Sequence, residues 1–376
     1  MSYKYTHFIP ENIAPSGVKR IGVYQDGKRI CTVPLGRLAR PAREKLYSFG
    51  LVSDVHLQGG VTSWKAEEKF PAALKYFNAK GCAFVAHCGD VVNYGFFHKN
   101  DDTGEIWLDP DFATYDAIRK TVGIPIYGCC GNHESYGKDI TDRTPITIGD
   151  ETKTMLEFLY DFTTETNGET GIAKLSYTVE HGNDLFVFVG QPRALCPVGG
   201  ENGEENLNWL SNVLSNHKNK RCFVFVHSYI EEDSGDPKDK RENSIFEGWA
   251  YKTAFMDLLG NYPNVILFHG HSHMKFECQE LDKKANYTDD NGFKSVHVPS
   301  LSRPRNLDMD STVKPTPYAD SESQGYIVDV YDDCIVLNGL DFASEKPVPL
   351  GVYKLDTALQ AIEADTFTDS MGIIQT

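Results

Sequence analysis

Between residues 47 and 268, short continuous apolar runs alternate with stretches of helical spacing. Tyr47–Ser53 is such a run, and Glu67–Ala79 follows with Phe70, Leu74 and Phe77 on one helical face. Cys82–Ala86, Ile124–Cys129, Leu185–Val189, Cys222–Val226 and Val265–Phe268 read as strands. Phe112–Lys120, Thr152–Tyr160, Glu204–His217 and Ile245–Leu259 between them read as helices. From Ser295 onward the pattern turns to strands alone, at Val296–Pro299, Tyr326–Tyr331 and Ile335–Leu340. Alternation implies βαβ units, and runs that are apolar at every position suit strands covered on both faces. The expected fold class is therefore α/β.

The two ends of the chain stand apart. Ile21–Tyr24 and Arg29–Val33 flank Gln25-Asp26-Gly27-Lys28, and Asp-Gly between apolar runs predicts a tight hairpin. This gives a small basic β-hairpin segment over 1–45, a main domain over 46–345 and a tail over 346–376. The tail shows no clear pattern beyond a short helical stretch at Ala358–Ala364.

With 40% hydrophobic and 24% charged residues, the chain has an ordinary globular composition. No apolar run reaches the length of a membrane span, and Met1–Ala14 lacks an apolar signal core. A cytoplasmic protein without membrane contact is expected. Nine cysteines, an odd number with no CxxC pair, read as buried free thiols. The net charge of −16 disfavours broad capture of nucleic acid. It is unevenly spread, since residues 1–45 carry nine Lys or Arg against three acidic residues, a net +6 that leaves −22 for the rest. A solvated basic face is the simple reading of that segment, and the sequence names no protein partner for it.

The long segments Asn93–Asp109, Ser135–Asp150, Gln191–Asn202, Ser228–Asn243 and Ser300–Ser323 are polar and rich in Gly, Pro, Asp and Asn. Each follows a strand end, which is where open α/β sheets bind ligands. The chemistry collects at the same ends: Asp54-Val55-His56, Gly89-Asp90, Gly131-Asn132-His133-Glu134, His227 and Gly270-His271-Ser272-His273. Asp54 and His56, like His271 and His273, are two apart, so an extended segment points both side chains the same way. Any one of these alone is more simply a hydrogen-bonded loop residue. Jointly, strand after strand ending in an oxygen or imidazole donor points to a metal site for Mn²⁺, Fe or Zn²⁺.

The ordered set DxH, GD, GNHE, H and GHxH resembles the calcineurin-like metallophosphoesterase superfamily, over roughly Tyr47–Phe342. The resemblance implies an αββα sandwich, two mixed β-sheets flanked by helices. It also implies two divalent or trivalent ions, one held by Asp54, His56, Asp90 and His273, the other by Asp90, Asn132, His227 and His271. Asp90 would bridge them. A hydroxide between the ions would attack phosphorus in line, its parent water having its pKa lowered from about 15.7 towards 7. His133 would stabilise the transition state or protonate the leaving oxygen, and Glu134 would orient a neighbour. His87, His98, His269 and His297 read as supporting or surface residues. Arg303 and Arg305 suit phosphate recognition, although solvated loop arginines are the simpler reading.

Departures from subfamily patterns narrow the field. The protein phosphatases of this superfamily follow GD with Val-Asp-Arg-Gly, whereas this chain reads Val91-Val92-Asn93-Tyr94. Asn93 also stands where purple acid phosphatases place a metal-binding Tyr. The expected activity is hydrolysis of a small phosphodiester or phosphomonoester. A nuclease is the first alternative and a metal-binding scaffold of the same fold the second. The complete set of site residues speaks against the scaffold.

Overall fold

The computed structural model describes residues 20–25, 28–34, 44–60, 62–95, 97–99, 103, 106–108, 110–135, 146–148, 151–153, 176–190, 203–228, 252–280, 286–289, 292–306 and 318–357. The chain divides into two units, Met1–Leu46 and Tyr47–Thr376. In the first, β1 (Arg20–Gln25) pairs antiparallel with β2 (Lys28–Pro34), from Arg20 opposite Pro34 to Gln25 opposite Lys28. The expected Asp26-Gly27 turn lies outside the described residues.

The second unit runs β3 (Tyr47–Val52), α1 (Ala66–Ala79), β4 (Val85–His87), β5 (Phe97–Lys99), β6 (Ile106–Leu108), α2 (Pro110–Val122), β7 (Ile126–Gly128), α3 (Asn132–Ser135), β8 (Ile146–Ile148) and β9 (Glu151–Lys153). It continues with β10 (Tyr177–His181), β11 (Asp184–Phe188), α4 (Gly203–Asn216), β12 (Arg221–Phe225), α5 (Lys252–Gly260), β13 (Val265–His269), a 3-10 turn (Phe276–Glu280), β14 (Tyr287–Thr288) and β15 (Lys294–His297). β16 (Gln324–Val330), β17 (Cys334–Asp341) and β18 (Lys346–Asp356) close it.

Two six-stranded sheets form, in the orders β18-β17-β16-β3-β4-β7 and β10-β11-β12-β13-β15-β14. Both are mixed. β3, β4 and β7 are mutually parallel, as are β11, β12, β13 and β15, and the remaining pairs are antiparallel. Alternate residues of each strand face opposite layers. Phe186, Phe188, Phe223, Phe225 and Phe268 meet Phe49, Leu51 and Tyr326 of the other sheet in one buried cluster. The outward residues Leu185, Val187, Cys222, Val224, Val265 and Leu267 pack on Leu210, Val213 and Leu214 of α4 and on Phe255 and Leu259 of α5. On the far side, Val52, Val85 and Ile126 pack on Phe70, Leu74, Phe77, Phe112 and Tyr115 of α1 and α2. The layers are therefore α, β, β, α, as expected. Truncating a wedge residue such as Phe225 to Ala should cost about 3–5 kcal/mol. α1 lies so close to β3 that a Cβ on Gly50 would stand 2.6 Å from the Phe77 ring.

Three expectations change. Thr152 and Lys153 are not helical but belong to β9, which pairs with β8. Gly149-Asp150 between those runs is a two-residue hairpin signal that outweighs the helical spacing. Residues 154–160, and 245–251 of the other expected helix, lie outside the described residues, as does Ala358–Ala364. Lys346–Asp356, read as tail, is an edge strand paired with β17. Its burial alternates weakly, and Pro347, Pro349 and Gly351 interrupt the pattern a strand normally shows. The polar segment after Asn93 also carries a strand pair, β5–β6, and the one after Ser135 carries β8, which pairs with β9 just beyond it. No helix among the described residues is long and apolar enough to cross a membrane.

Candidate metal centre

The parallel strands β3, β4, β7, β12 and β13 each run out into one of the marked clusters, so both sheets deliver donors to the same end of the sandwich. The delivery is tight. His56 N donates to Asp90 O at 3.0 Å, Asp54 N to Gly89 O at 3.1 Å and Gly270 N to His227 O at 2.9 Å. A Cβ on Gly131 would stand 2.2 Å from Asp90 Oδ1, and one on Gly270 would stand 1.9 Å from Ser53 Oγ. Only glycine lets the backbone pass at these two points. Asp54, His56, Asp90, His271 and His273 themselves hold φ between 52° and 73°, a left-handed conformation that β-carbon-bearing residues rarely adopt. Turning the chain this sharply directs their side chains inward.

Two buried carboxylates organise the donors. Asp54 Oδ1 lies 3.3 Å from His273 Nε2 and 3.9 Å from His56 Nε2, and the two ring nitrogens approach each other to 3.0 Å. Asp90 Oδ2 lies 3.1 Å from His227 Nε2, 3.8 Å from His56 Nε2 and 4.0 Å from His133 Nε2. His227 Nε2 is also 3.0 Å from Asn132 Oδ1 and 3.0 Å from His271 Nδ1. Three overlapping groups result: Asp54, His56 and His273; Asp90, His227 and His271; and His56, Asp90 and His133. Asp90 and His56 join the groups, and Asp90 sits centrally.

A second ring of contacts aims these side chains. His56 Nδ1 faces Asn93 Oδ1 at 3.1 Å, His227 Nδ1 faces Cys88 O at 2.7 Å and His273 Nδ1 faces Arg303 O at 3.1 Å. Each oxygen can only accept, so each Nδ1 carries its proton there and Nε2 turns to the centre. Asp54 Oδ2 accepts from Ser53 Oγ and His271 N. Among the described residues its buried Oδ1 accepts no hydrogen bond, its nearer ion-pair neighbour being His273 Nε2 at 3.3 Å. Glu134 accepts from the backbone N–H groups of Asp90, Val91, Val92 and Gly131, so it shapes the Asp90 turn. Burial and nearby Asp90 push its carboxyl up to about 7, against the pull of those donors.

The charges are strongly interdependent. Burial opposes ionisation of Asp54 and Asp90, but His273 beside Asp54 and His227 beside Asp90 more than offset it and hold both carboxyls well below the ordinary range. Burial lowers the imidazoles too. Asp90 reverses that for His227 and Asp54 for His273, which both rise to about 9. His271 falls to about 3 through burial and the neighbouring His227.

Two carboxylates, one amide oxygen and converging imidazole nitrogens, with that Asp54 oxygen among them, fit hard-to-borderline cations. Imidazole nitrogens brought to 3.0 Å would repel through their lone pairs without a proton or cation between them. Asp54, His56, Asp90, Asn132, His133, His227, His271 and His273 are thus all gathered in one place. His87, His269 and His297 are buried close by but join none of the three groups. The side chain of His98 lies outside the described residues.

Asn93 has a part that the sequence reading missed. Its side chain orients His56, and its carbonyl receives Nδ1 of His133 at 2.5 Å. Ser300 and Ser302, whose hydroxyls donate to the backbone carbonyls of Asp54 and Val55, had no sequence signal either.

The model of the calcineurin-like phosphoesterase family matches residues 47–275. A search of curated proteins found no match. Among solved structures, a dimetal phosphatase from Danio rerio aligns at 14% identity over 84% of this chain and 100% of its own, with TM-score 0.51. A purple acid phosphatase from yellow lupin seeds aligns at 13% identity over 82% of this chain and 53% of its own, also with TM-score 0.51. Both share the fold. With the family model spanning more than half of the chain, and candidate metal donors gathered at one end of the sandwich, this protein belongs to the calcineurin-like phosphoesterase family, hydrolases that act on phosphoester bonds with the help of metal ions.

Proposed function

We propose that the chain hydrolyses a small phosphodiester at a two-ion centre. The observation that carries this reading is the pairing of donor groups around Asp54 and Asp90, with each supporting Nδ1 already committed to a carbonyl oxygen. Asp54, His56, Asp90 and His273 would hold one ion. Asp90, Asn132, His227 and His271 would hold the other. When bound, the ions supply an acidified water and neutralise charge on the phosphoryl oxygens. Mn²⁺, Fe or Zn²⁺ suits the donors.

The protein's own groups supply the rest. The Asp90 carboxylate, between the two sets, keeps both in register. His133 is fixed by its backbone N–H to Asp90 Oδ1 at 2.9 Å and by Nδ1 to Asn93 O. Its Nε2 therefore faces the centre from a part-exposed position, suited to giving a proton to the leaving oxygen. An alkoxide needs that proton, and such an acid contributes about 10²–10⁴-fold. Phosphomonoester hydrolysis is the second reading, supported by the two phosphatase structures described above.

The deciding experiment strips the protein of metal, reloads it with Mn²⁺, and compares bis-p-nitrophenyl phosphate with p-nitrophenyl phosphate. Faster diester turnover is expected. Faster monoester turnover moves the assignment to a phosphatase. No turnover of either, with ions bound, removes the assignment.

A further inference from the structure

Two arginines follow β15, next to the Ser300 and Ser302 that brace the Asp54-Val55 backbone, and they are used differently. Arg305 is engaged with the backbone. Its Nε donates to Ser272 O at 2.7 Å, and its own N–H donates to His273 O at 2.8 Å. Arg303 has only its backbone so engaged: its N–H donates to Ser300 Oγ at 2.9 Å, and its carbonyl receives His273 Nδ1. Its guanidinium lies over two rings, with Cζ 4.2 Å from the centroid of Trp64 and 4.0 Å from that of Tyr318. Among the described residues its side chain makes no hydrogen bond or ion pair, and its Nε is buried without a partner.

Both rings are tied to the donor set. Trp64 Nε1 donates to His56 O at 2.9 Å, and the Tyr318 ring packs 5.4 Å from the His273 ring. The two rings thus stand beside the group formed by Asp54, His56 and His273. Cation–π contact with two rings holds the guanidinium in place. Five N–H donors in a fixed fork match the oxygens of phosphate. In a chain of net charge −16, a cation with no ion pair among the described residues also counters the repulsion that an anionic substrate would meet.

We propose that Arg303, held against Trp64 and Tyr318, binds a phosphate oxygen of the substrate, on either the phosphate being hydrolysed or one attached to it. This rests on the phosphoesterase reading above. The test uses the full chain loaded with Mn²⁺, as wild type, Arg303→Gln and Arg303→Lys. Metal content is measured, inorganic phosphate and pyrophosphate are titrated calorimetrically, and turnover of the nitrophenyl esters is followed.

In Arg303→Gln, metal content should be unchanged while anion binding weakens by at least about tenfold, and Arg303→Lys should recover only part, since an ammonium lacks the fork. Weakening of both anions places Arg303 on the phosphate being hydrolysed, with KM for the monoester rising in step. Weakening of pyrophosphate alone places it on the attached phosphate. Unchanged binding of both anions overturns the proposal, as does wild-type protein that binds neither. Lowered melting temperature with unchanged anion binding assigns Arg303 a structural part and also overturns it. If phosphate binding depends on Arg303 but no ester is hydrolysed, the function reading fails and the anion site stands.

Discussion

The sandwich buries charge at both ends of the same strands, in opposite ways. Where β3, β11 and β12 begin, Tyr47, Asp184 and Arg221 form a closed set. Arg221 donates to both oxygens of Asp184, at 2.9 and 2.7 Å, and to Tyr331 O at 2.9 Å, while Tyr47 donates to Asp184 Oδ2. Burial and Asp184 raise the Tyr47 hydroxyl far above its usual range, so it stays a donor. Where β3 and β12 end, Asp54 and His227 join a set with two carboxylates and no lysine or arginine in its donor groups. One end satisfies its charges internally and serves stability. The other is left complementary to something the chain does not contain.

The largest effect should come from Asp90→Asn. Asparagine tolerates the left-handed backbone, so the loss is chiefly that of charge. Activity should fall on the order of 10³-fold or more. Bound metal, read by atomic emission, should fall with it. Full activity with full metal would end the bridging assignment.

Arg221→Ala should affect the other end instead. Leaving Asp184 buried without its partner should cost about 3–5 kcal/mol in urea unfolding. Activity per folded molecule should hold. Replacing Asp184 and Arg221 together by apolar residues of similar volume should restore most of that stability, since the closed pair is dispensable. A double variant no better than the single one would contradict this contrast.

Metal should act only at the open end. Saturating Mn²⁺, at a free concentration one hundred times Kd, should stabilise the protein by about 2.7 kcal/mol for each bound ion over the chelated form. In Arg221→Ala the same increment should reappear, because the two sites are independent. A metal-insensitive melting temperature would argue that no ion prefers the folded state.

The smallest effect should be that of His133→Ala, which leaves metal content unchanged. Turnover of esters with alkoxide leaving groups should drop by about 10²-fold. Nitrophenyl esters should lose much less, because nitrophenolate departs without a proton. Equal losses on both would give His133 an electrostatic part instead.

Much of this contrast was legible in the sequence, but unevenly. Donors placed immediately after apolar runs announce themselves, because a buried strand end is an expensive place for Asp90 or His227 without a partner. The closed end did not. Arg221 and Asp184 sit at strand starts, where charged residues are ordinary, and their pairing spans 37 positions. Asn93 read as a departure from a relative's tyrosine, and its support of His56 and His133 needed the fold. Trp64 meets Arg303 across more than two hundred residues, and Tyr318 reaches the same guanidinium with no local spacing signal. β18 escaped because edge strands need not alternate cleanly and tolerate proline.

The left-handed backbone of the donor residues has an evolutionary consequence. Such conformations cost about 1–3 kcal/mol each in residues other than glycine. Were the ions no longer needed, replacing these aspartates and histidines by glycine would relieve that cost, so drift would erase the centre as it stabilised the fold. The donors are thus the positions that mutation would reclaim earliest in a descendant retained only for its surface.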